Sequence, residues 1–330
     1  MRKGKLAESV LIRSVLRELD GKEKLIAGPA VGQGFAAGKG EEGTEIFACA
    51  STAASDPELA VLALMRACNS ASAAGAQPGT ALMGLLLPET MEEKDLKCLI
   101  RSLRTAAEQI PVLLAGGHTE VTGAVTVPVI SFFVSGYLRR EAGGSVCGPQ
   151  NIRPDQDLVM TKGIGFGATA WLAKTREEEL KKRFSPHFIR EAASFCKGYS
   201  VLPEATEALR LGVHAMHDVS EGGIFGALWE MAEGAGVGLD VNLKAIPVRQ
   251  ETIEICEFFG LNPYQLLSTG ALLVSCEDGT ALVYELEKKG IPSAVIGRTT
   301  DRKERVIRNG EDLRYLDKPQ CDEINRILTV

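Results

Sequence analysis

The chain is poor in aromatic residues and has no cysteine pair at C-x-x-C spacing. It carries no surplus of positive charge and no long apolar run. Each absence excludes something. Aromatic residues make up 5% of the 330 positions while Gly and Ala are abundant, which favours close packing of helices on a sheet. The eight cysteines (49, 68, 98, 147, 196, 256, 276 and 321) are scattered, so a zinc or iron–sulfur centre is not expected. Scattered cysteines in an acidic chain without an export signal read as buried or free thiols of a reducing cytoplasm. The start, Met1-Arg2-Lys3-Gly4-Lys5, has no apolar run behind it. No stretch approaches the ~18 apolar residues a membrane span requires. A net charge of −6 offers nothing to a phosphate backbone, so nucleic acid is not an expected partner. The basic run Lys181-Lys182-Arg183 follows Glu177-Glu178-Glu179 and reads as a solvated helix face.

What is present is ordinary globular material, 45% hydrophobic and 24% charged, in a length that suits two domains. Residues 5–20 have helical spacing and reach a stop at Asp20-Gly21. Glu45–Ala50 is a strand candidate, 57–74 a helix rich in small residues, and Leu82–Leu87 a strand. Thr90 followed by Glu93 has capping-box spacing, ahead of a stripe of Leu96, Leu99, Ile100, Leu103, Ala107 and Ile110. Val112–Ala115 reads as a buried strand and 125–138 as a β-rich run. Arg139–Gly144, Gly148-Pro149 and Arg153-Pro154 then break the composition, which suggests domains over 1–147 and 148–330. Beyond the break, Asp157–Thr161, 213–216, 238–243, Ala271–Cys276 and 294–296 read as strands. Segments 186–197, 201–211, 224–233, 249–259 and 281–289 read as helices. Short alternating elements of this kind predict an α/β or α+β layer.

Three clusters attract chemistry. Met216-His217-Asp218-Val219-Ser220-Glu221-Gly222-Gly223 sets a histidine and two carboxylates before a glycine pair and a helix. Amide groups at a helix start make an anion site. Asp218 or Ser220 as a plain helix cap would account for one polar residue, not for His217, Asp218 and Glu221 together. Gly116-Gly117-His118-Thr119-Glu120 follows a strand, where His118 and Glu120 suit a metal or a phosphate, or merely form a polar turn. Lys162-Gly163-Ile164-Gly165-Phe166-Gly167 also follows a strand, but its spacing is neither G-x-G-x-x-G nor a P-loop; a tight turn and a phosphate cradle both remain open. No G-x-S-x-G nucleophile elbow is present, and Cys256 and Cys276 lie in apolar, inert contexts.

At these residues the chain resembles the aminoimidazole ribonucleotide (AIR) synthase-related superfamily, in the branch of the hydrogenase expression/formation (HypE-type) maturation proteins. Besides 216–223, the resemblance rests on Gly75-Ala76-Gln77-Pro78, Leu114–Thr122, Ala235–Gly238, Ile246-Pro247-Val248, Gly260-Leu261-Asn262-Pro263, Ser268–Leu273 and Ala294–Arg298. It implies a two-domain fold whose N-terminal domain pairs across a homodimer in a shared β-barrel, with a C-terminal α/β domain. It also implies ATP and Mg²⁺ used to activate an amide, carboxylate or similar acceptor. Carried onto this chain, the resemblance assigns catalysis to His118, Asp218 and Glu221 and metal binding to Glu120 and Asp218. Nucleotide binding falls to Lys162, Gly163, Gly165, Gly167, Gly116, Gly117, Asn69, Gly222 and Gly223.

The chain departs from the family at three acidic positions, which become Gly34, Ala50 and Ser70, while Asn69 is kept. Mg²⁺ prefers carboxylate oxygens. The nearby Asp56 and Glu58 belong to a helix start. The branch also ends in a cysteine, whereas here Cys321 lies nine residues from Val330. Two expectations follow. One is an ATP-dependent enzyme with a remodelled metal site. The other is a non-catalytic homodimer that binds a nucleotide or another anion, or serves a structural or regulatory role.

Overall fold

The computed structural model describes residues 5–19, 24–41, 43–53 and 56–328. The N-terminal half runs α1 (Glu8–Leu11), a π-helical turn (Ile12–Leu16), β1 (Phe35–Gly40), β2 (Gly43–Ala53), α2 (Pro57–Ala73), β3 (Ala76–Leu87), α3 (Glu93–Glu108), β4 (Leu113–Val121) and β5 (Val129–Leu138). The C-terminal half begins with β6 (Asp157–Thr161), α4 (Phe166–Thr175), α5 (Glu177–Leu180), α6 (Pro186–Ser194), α7 (Leu202–Arg210), β7 (Ala215–Val219) and α8 (Gly223–Ala235). It continues with β8 (Gly238–Asn242), α9 (Gln250–Phe259), β9 (Ala271–Cys276), α10 (Gly279–Lys288), β10 (Ser293–Thr300), β11 (Arg305–Asn309) and β12 (Asp312–Tyr315).

Two mixed sheets result. The first has the order β1-β2-β5-β3-β4, antiparallel except for the parallel β3–β4 pair. The second has the order β12-β11-β8-β10-β6-β9-β7, antiparallel except for the parallel β11–β8 pair. Among the described residues no helix is long and apolar enough to cross a membrane.

Strand periodicity sets the faces of the first sheet. Ile46, Ala48 and Ala50 of β2 and Ile130, Phe132 and Val134 of β5 are buried, while the alternate Phe47, Phe133 and Tyr137 are exposed. The inward face meets α2, which Asp56 caps by accepting from the Glu58 amide at 2.8 Å, with Pro57 in the first turn. Thirteen of the seventeen α2 residues are buried, because the helix packs on β2 and β5 on one side and on α4 and β7 on the other. Its small side chains suit a helix buried on two sides. One apolar cluster therefore joins the halves, with Leu62, Ile130, Ala168, Leu172 and Leu266 among its members.

Several expectations need correction. Thr90 does not cap α3; Glu92 holds that position without a side-chain bond, because Met91 closes a turn onto the Pro88 carbonyl at 3.0 Å and holds Thr90 ahead of the helix. Residues 116–120 are not a turn after a buried strand. They form the body of β4, an exposed edge strand. Gly117 permits the close approach to β3: a Cβ there would lie 1.8 Å from the Met83 carbonyl oxygen. β7 extends to Val219, so His217 and Asp218 stand in a strand rather than at a helix start. The regular α-helix expected over 5–20 is only α1 plus its π turn, and the stop at Asp20-Gly21 lies outside the described residues.

Candidate functional site

The carboxyl end of β7 carries Asp218 into a buried position, 6% exposed. Across from it, Ser70 on α2 donates its hydroxyl to Asp218 Oδ1 at 2.9 Å. Gly34, one residue before β1, closes the group: a Cβ built there would lie 3.1 Å from Ser70 Oγ. Two of the three positions where the resemblance places carboxylates thus converge on Asp218, holding glycine and serine. The third, Ala50, is buried in β2, and its neighbour Ser51 offers its carbonyl to Arg66 of α2 at 3.2 Å.

Charges are paired throughout this region. Arg66 lies 3.7 Å from Glu221 Oε2. Glu230 on α8 accepts from the Lys5 ammonium at 2.7 Å on one oxygen and faces His217 Nε2 at 3.2 Å with the other. His217 Nδ1 lies 2.8 Å from the Asp218 carbonyl, so both ring nitrogens face acceptors, an arrangement that favours the protonated ring. Burial lowers the His217 pKa, but the hydrogen bond and charge of Glu230 outweigh it and raise the value. Burial likewise opposes ionisation of Glu230, yet Lys5 first and then His217 hold its carboxyl at about 2. The Lys5 side chain is 46% exposed, and what desolvation its ammonium suffers is outweighed by Glu230, then Glu221 and Asp218, which raise its pKa. Neither Lys5 nor Glu230 stands out in the sequence. Both are isolated in an uninformative local context, and only folding brings them to His217.

At Gly222-Gly223, where an anion site is expected, the Gly222 amide is taken by the protein's own Asp322 and that of Gly223 by the Ser220 carbonyl. Gly222, in the left-handed conformation (φ 87°), precedes α8 and donates its amide to Asp322 Oδ2 at 2.6 Å. The other oxygen accepts from the amides of Leu267 at 3.2 Å and Ile324 at 2.8 Å. Neither Asp218 nor Ser220 caps this helix. Burial, with the charge of Glu221 adding, raises the Asp322 carboxyl to about 6 against the pull of those three amides. An unfolded aspartate titrates near ~3.9. The native state therefore holds a proton that the unfolded chain has lost, and stability contributed by protonated Asp322 declines as pH rises from about 4 through about 6. Urea unfolding at successive pH values is expected to show this as a stability difference between the native chain and Asp322→Asn that changes by about 3 kcal/mol across that window. A difference independent of pH would refute the assignment.

Other expected ligands are engaged in structural contacts. Lys162 donates to the carbonyls of Gly198 at 2.9 Å, Ser200 at 2.6 Å and Gly270 at 3.0 Å, and pairs with buried Glu204. Its ammonium is filled by protein atoms rather than offered to phosphate. Gly163, Gly165 and Gly167 form a tight turn: the Gly165 amide bonds Ser268 Oγ at 2.7 Å, and those of Ile164 and Ala168 bond the carbonyls of Pro247 and Leu267. Asn69, 2% exposed, is tied at both ends of its amide to the main chain of Tyr199 and Val201. Asp56 accepts from Trp171 Nε1 at 2.7 Å, and Glu58 from Lys174 and the Tyr199 hydroxyl.

His118 and Glu120 are 3.4 Å apart and largely exposed on β4. They share the face of Leu82 and Leu86, but lie at the sheet edge opposite β1. Four strand spacings separate β1 from β4, on the order of 19 Å. A single chain therefore does not bring His118, Glu120, Gly116 or Gly117 to Asp218 and Glu221. Among the described residues no three His, Cys, Asp or Glu side chains are grouped to hold a metal ion. Burial pushes the thiols of Cys68, Cys147, Cys256 and Cys276 up to about 12, which leaves them inert.

The two mixed sheets, joined through α2 and meeting at the β7–α8 corner, define a two-domain α/β protein. The family models for the N-terminal and C-terminal domains of AIR synthase related protein match residues 43–138 and 153–309. The chain belongs to this family. The carbamoyl dehydratase HypE of Escherichia coli (strain K12) is 26% identical over 276 residues, covering 81% of this chain and 78% of that protein. The carbamoyl dehydratase HypE of Rhodobacter capsulatus is 26% identical over 246 residues, 73% of this chain and 69% of that protein. A crystal structure of hydrogenase maturation protein HypE in complex with ATP superposes with a TM-score of 0.71 at 20% identity, over 97% of this chain and 96% of that one. At that identity the likeness is one of fold.

Proposed function

We propose that this chain is a homodimeric, HypE-like protein that binds a nucleotide or a similar anion, with ATP turnover weak or absent. The single observation that carries this is the contact of Ser70 with Asp218, closed off by Gly34. The expected acidic positions gather where a metal-assisted site would form, and they supply a hydroxyl and a hydrogen in place of carboxylates. The donors present do not fit Mg²⁺, which is held through carboxylates in near-octahedral geometry. Asp218 is committed to Ser70, and Glu221 is paired with Arg66. Phosphoryl transfer depends on cationic charge placed against the transferring group, so loss of the metal ligands removes turnover before it removes binding.

An exposed apolar face supports the homodimeric part of this reading. The outer face of the first sheet exposes Phe47, Leu82, Phe133 and Tyr137, and the first three line a groove of about 720 Å³ that reaches Gly34. A contiguous apolar face of this kind requires a cover.

Titration calorimetry with ATP, followed by a phosphate-release assay, tests the proposal. Micromolar binding without release is the expected result. Turnover that Asp218→Asn abolishes would show an active enzyme, and no binding at millimolar ATP would remove the nucleotide altogether.

A further inference from the structure

We propose that Lys5 and Arg66 are built-in cations that take the place of a divalent metal ion, so that this centre holds its anionic ligand without one. The inference rests on the reading that Asp218 lies at the ligand site. Asp218, Glu221 and Glu230 would confer a strongly negative field on the β7–α8 corner. The chain supplies cations to two of them, Lys5 and His217 to Glu230 and Arg66 to Glu221, while the Asp218 carboxylate accepts from Ser70. Lys5 reaches Glu230 at 2.7 Å and His217 reaches the second oxygen of the same carboxylate at 3.2 Å, while its other nitrogen is anchored on the Asp218 carbonyl. Arg66 reaches Glu221 at 3.7 Å and the Ser51 carbonyl at 3.2 Å, beside the Ala50 position that the family gives to an aspartate.

Arg66 and Ser70 lie four residues apart on α2 and so share a helix face. The guanidinium thus stands one turn from the lost carboxylate position. Lys5 is also held in place. Its segment is fastened to α8 and the C-terminal region by Glu8, which accepts from Trp229 Nε1 at 3.0 Å and pairs with Lys318 at 3.4 Å. A divalent ion entering this centre must displace a fixed cation or sit beside one. An incoming phosphate meets Arg66, whose side chain is 18% exposed, next to the small side chains of Gly34 and Ser70.

Manganese titration followed by electron paramagnetic resonance tests this on the full chain. The native protein is expected to show no saturable Mn²⁺ site. Lys5→Gln/Arg66→Gln is expected to acquire one, and Asp218→Asn in that background is expected to weaken it at least about tenfold. Lys5 lies on a terminal segment outside the apolar core, so Lys5→Gln alone carries the same expectation at smaller size should the double variant fail to fold. ATP affinity of the native protein is expected to be equal in EDTA and in Mg²⁺. Saturable Mn²⁺ binding by the native protein that Asp218→Asn removes would overturn the proposal. So would folded Lys5→Gln and double variants that gain no Mn²⁺. If ATP does not bind under either condition, the nucleotide reading fails while the Mn²⁺ titrations still decide this one.

Discussion

Lys162→Met is expected to destabilise the protein by about 3–5 kcal/mol, the range found when one partner of a buried ion pair is removed. Lys162 closes β6 with its backbone in the left-handed region (φ 55°), an uncommon state for a non-glycine residue. Its ammonium has three protons and spends them on carbonyls at residues 198, 200 and 270 while lying against Glu204, which is 1% exposed. Burial already pushes the Glu204 carboxyl up against the pull of Lys162. Without the lysine that carboxyl is left to protonate in place, and three carbonyls lose their donor. The thermal unfolding midpoint should fall by about 4–7 °C for a chain of this size. Glu204→Gln in the Lys162→Met background should restore part of the loss, and a double-mutant cycle by urea unfolding measures that coupling. A Lys162→Met protein of native stability that no longer binds ATP would instead place this lysine on the phosphates.

Phe133→Asp is expected to convert the proposed homodimer into a folded monomer. Phe133 sits at the middle of the open sheet face, directly opposite Cys49 of β2 and Leu82 of β3, and is 54% exposed. In a two-fold interface the same patch serves both copies, so one substitution places two carboxylates in the contact. Unpaired charges taken out of water cost several kcal/mol each, so dimer dissociation should strengthen by at least ~10³-fold. Sedimentation velocity at micromolar protein reads this directly, with circular dichroism to verify the fold. A native protein that sediments as a monomer at high micromolar concentration would remove the dimer and leave the apolar face unexplained.

Local patterns carried much of the architecture. The alternation in β2 and β5 and the stripe of α3 follow from periodicities of two and 3.6, which act over a few neighbouring residues. The π turn, the edge position of β4 and the length of β7 were less legible, because pairing with other strands and packing against other elements set them. Gly116–Glu120 illustrates the limit. Its composition is that of a turn, but parallel pairing with β3 draws it out as a strand. Lys162 and the glycines after it look like a phosphate loop for a related reason: the residues that fill a tight strand–helix junction are the ones that admit a phosphate.

The sequence by itself determined the family, and it put Gly34, Ala50 and Ser70 where the resemblance expects acidic groups, since these depend on residue identity in order along the chain. Only the tertiary structure decided what those positions touch. Ser70 meets Asp218 across 148 residues, Lys5 meets Glu230 across 225, and Asp322 meets the Gly222 amide across 100. Contacts at such separations leave no periodic trace in the chain. They arise when two sheets close on α2 and the terminal segments settle on α8, where burying a charge is tolerable only beside its opposite.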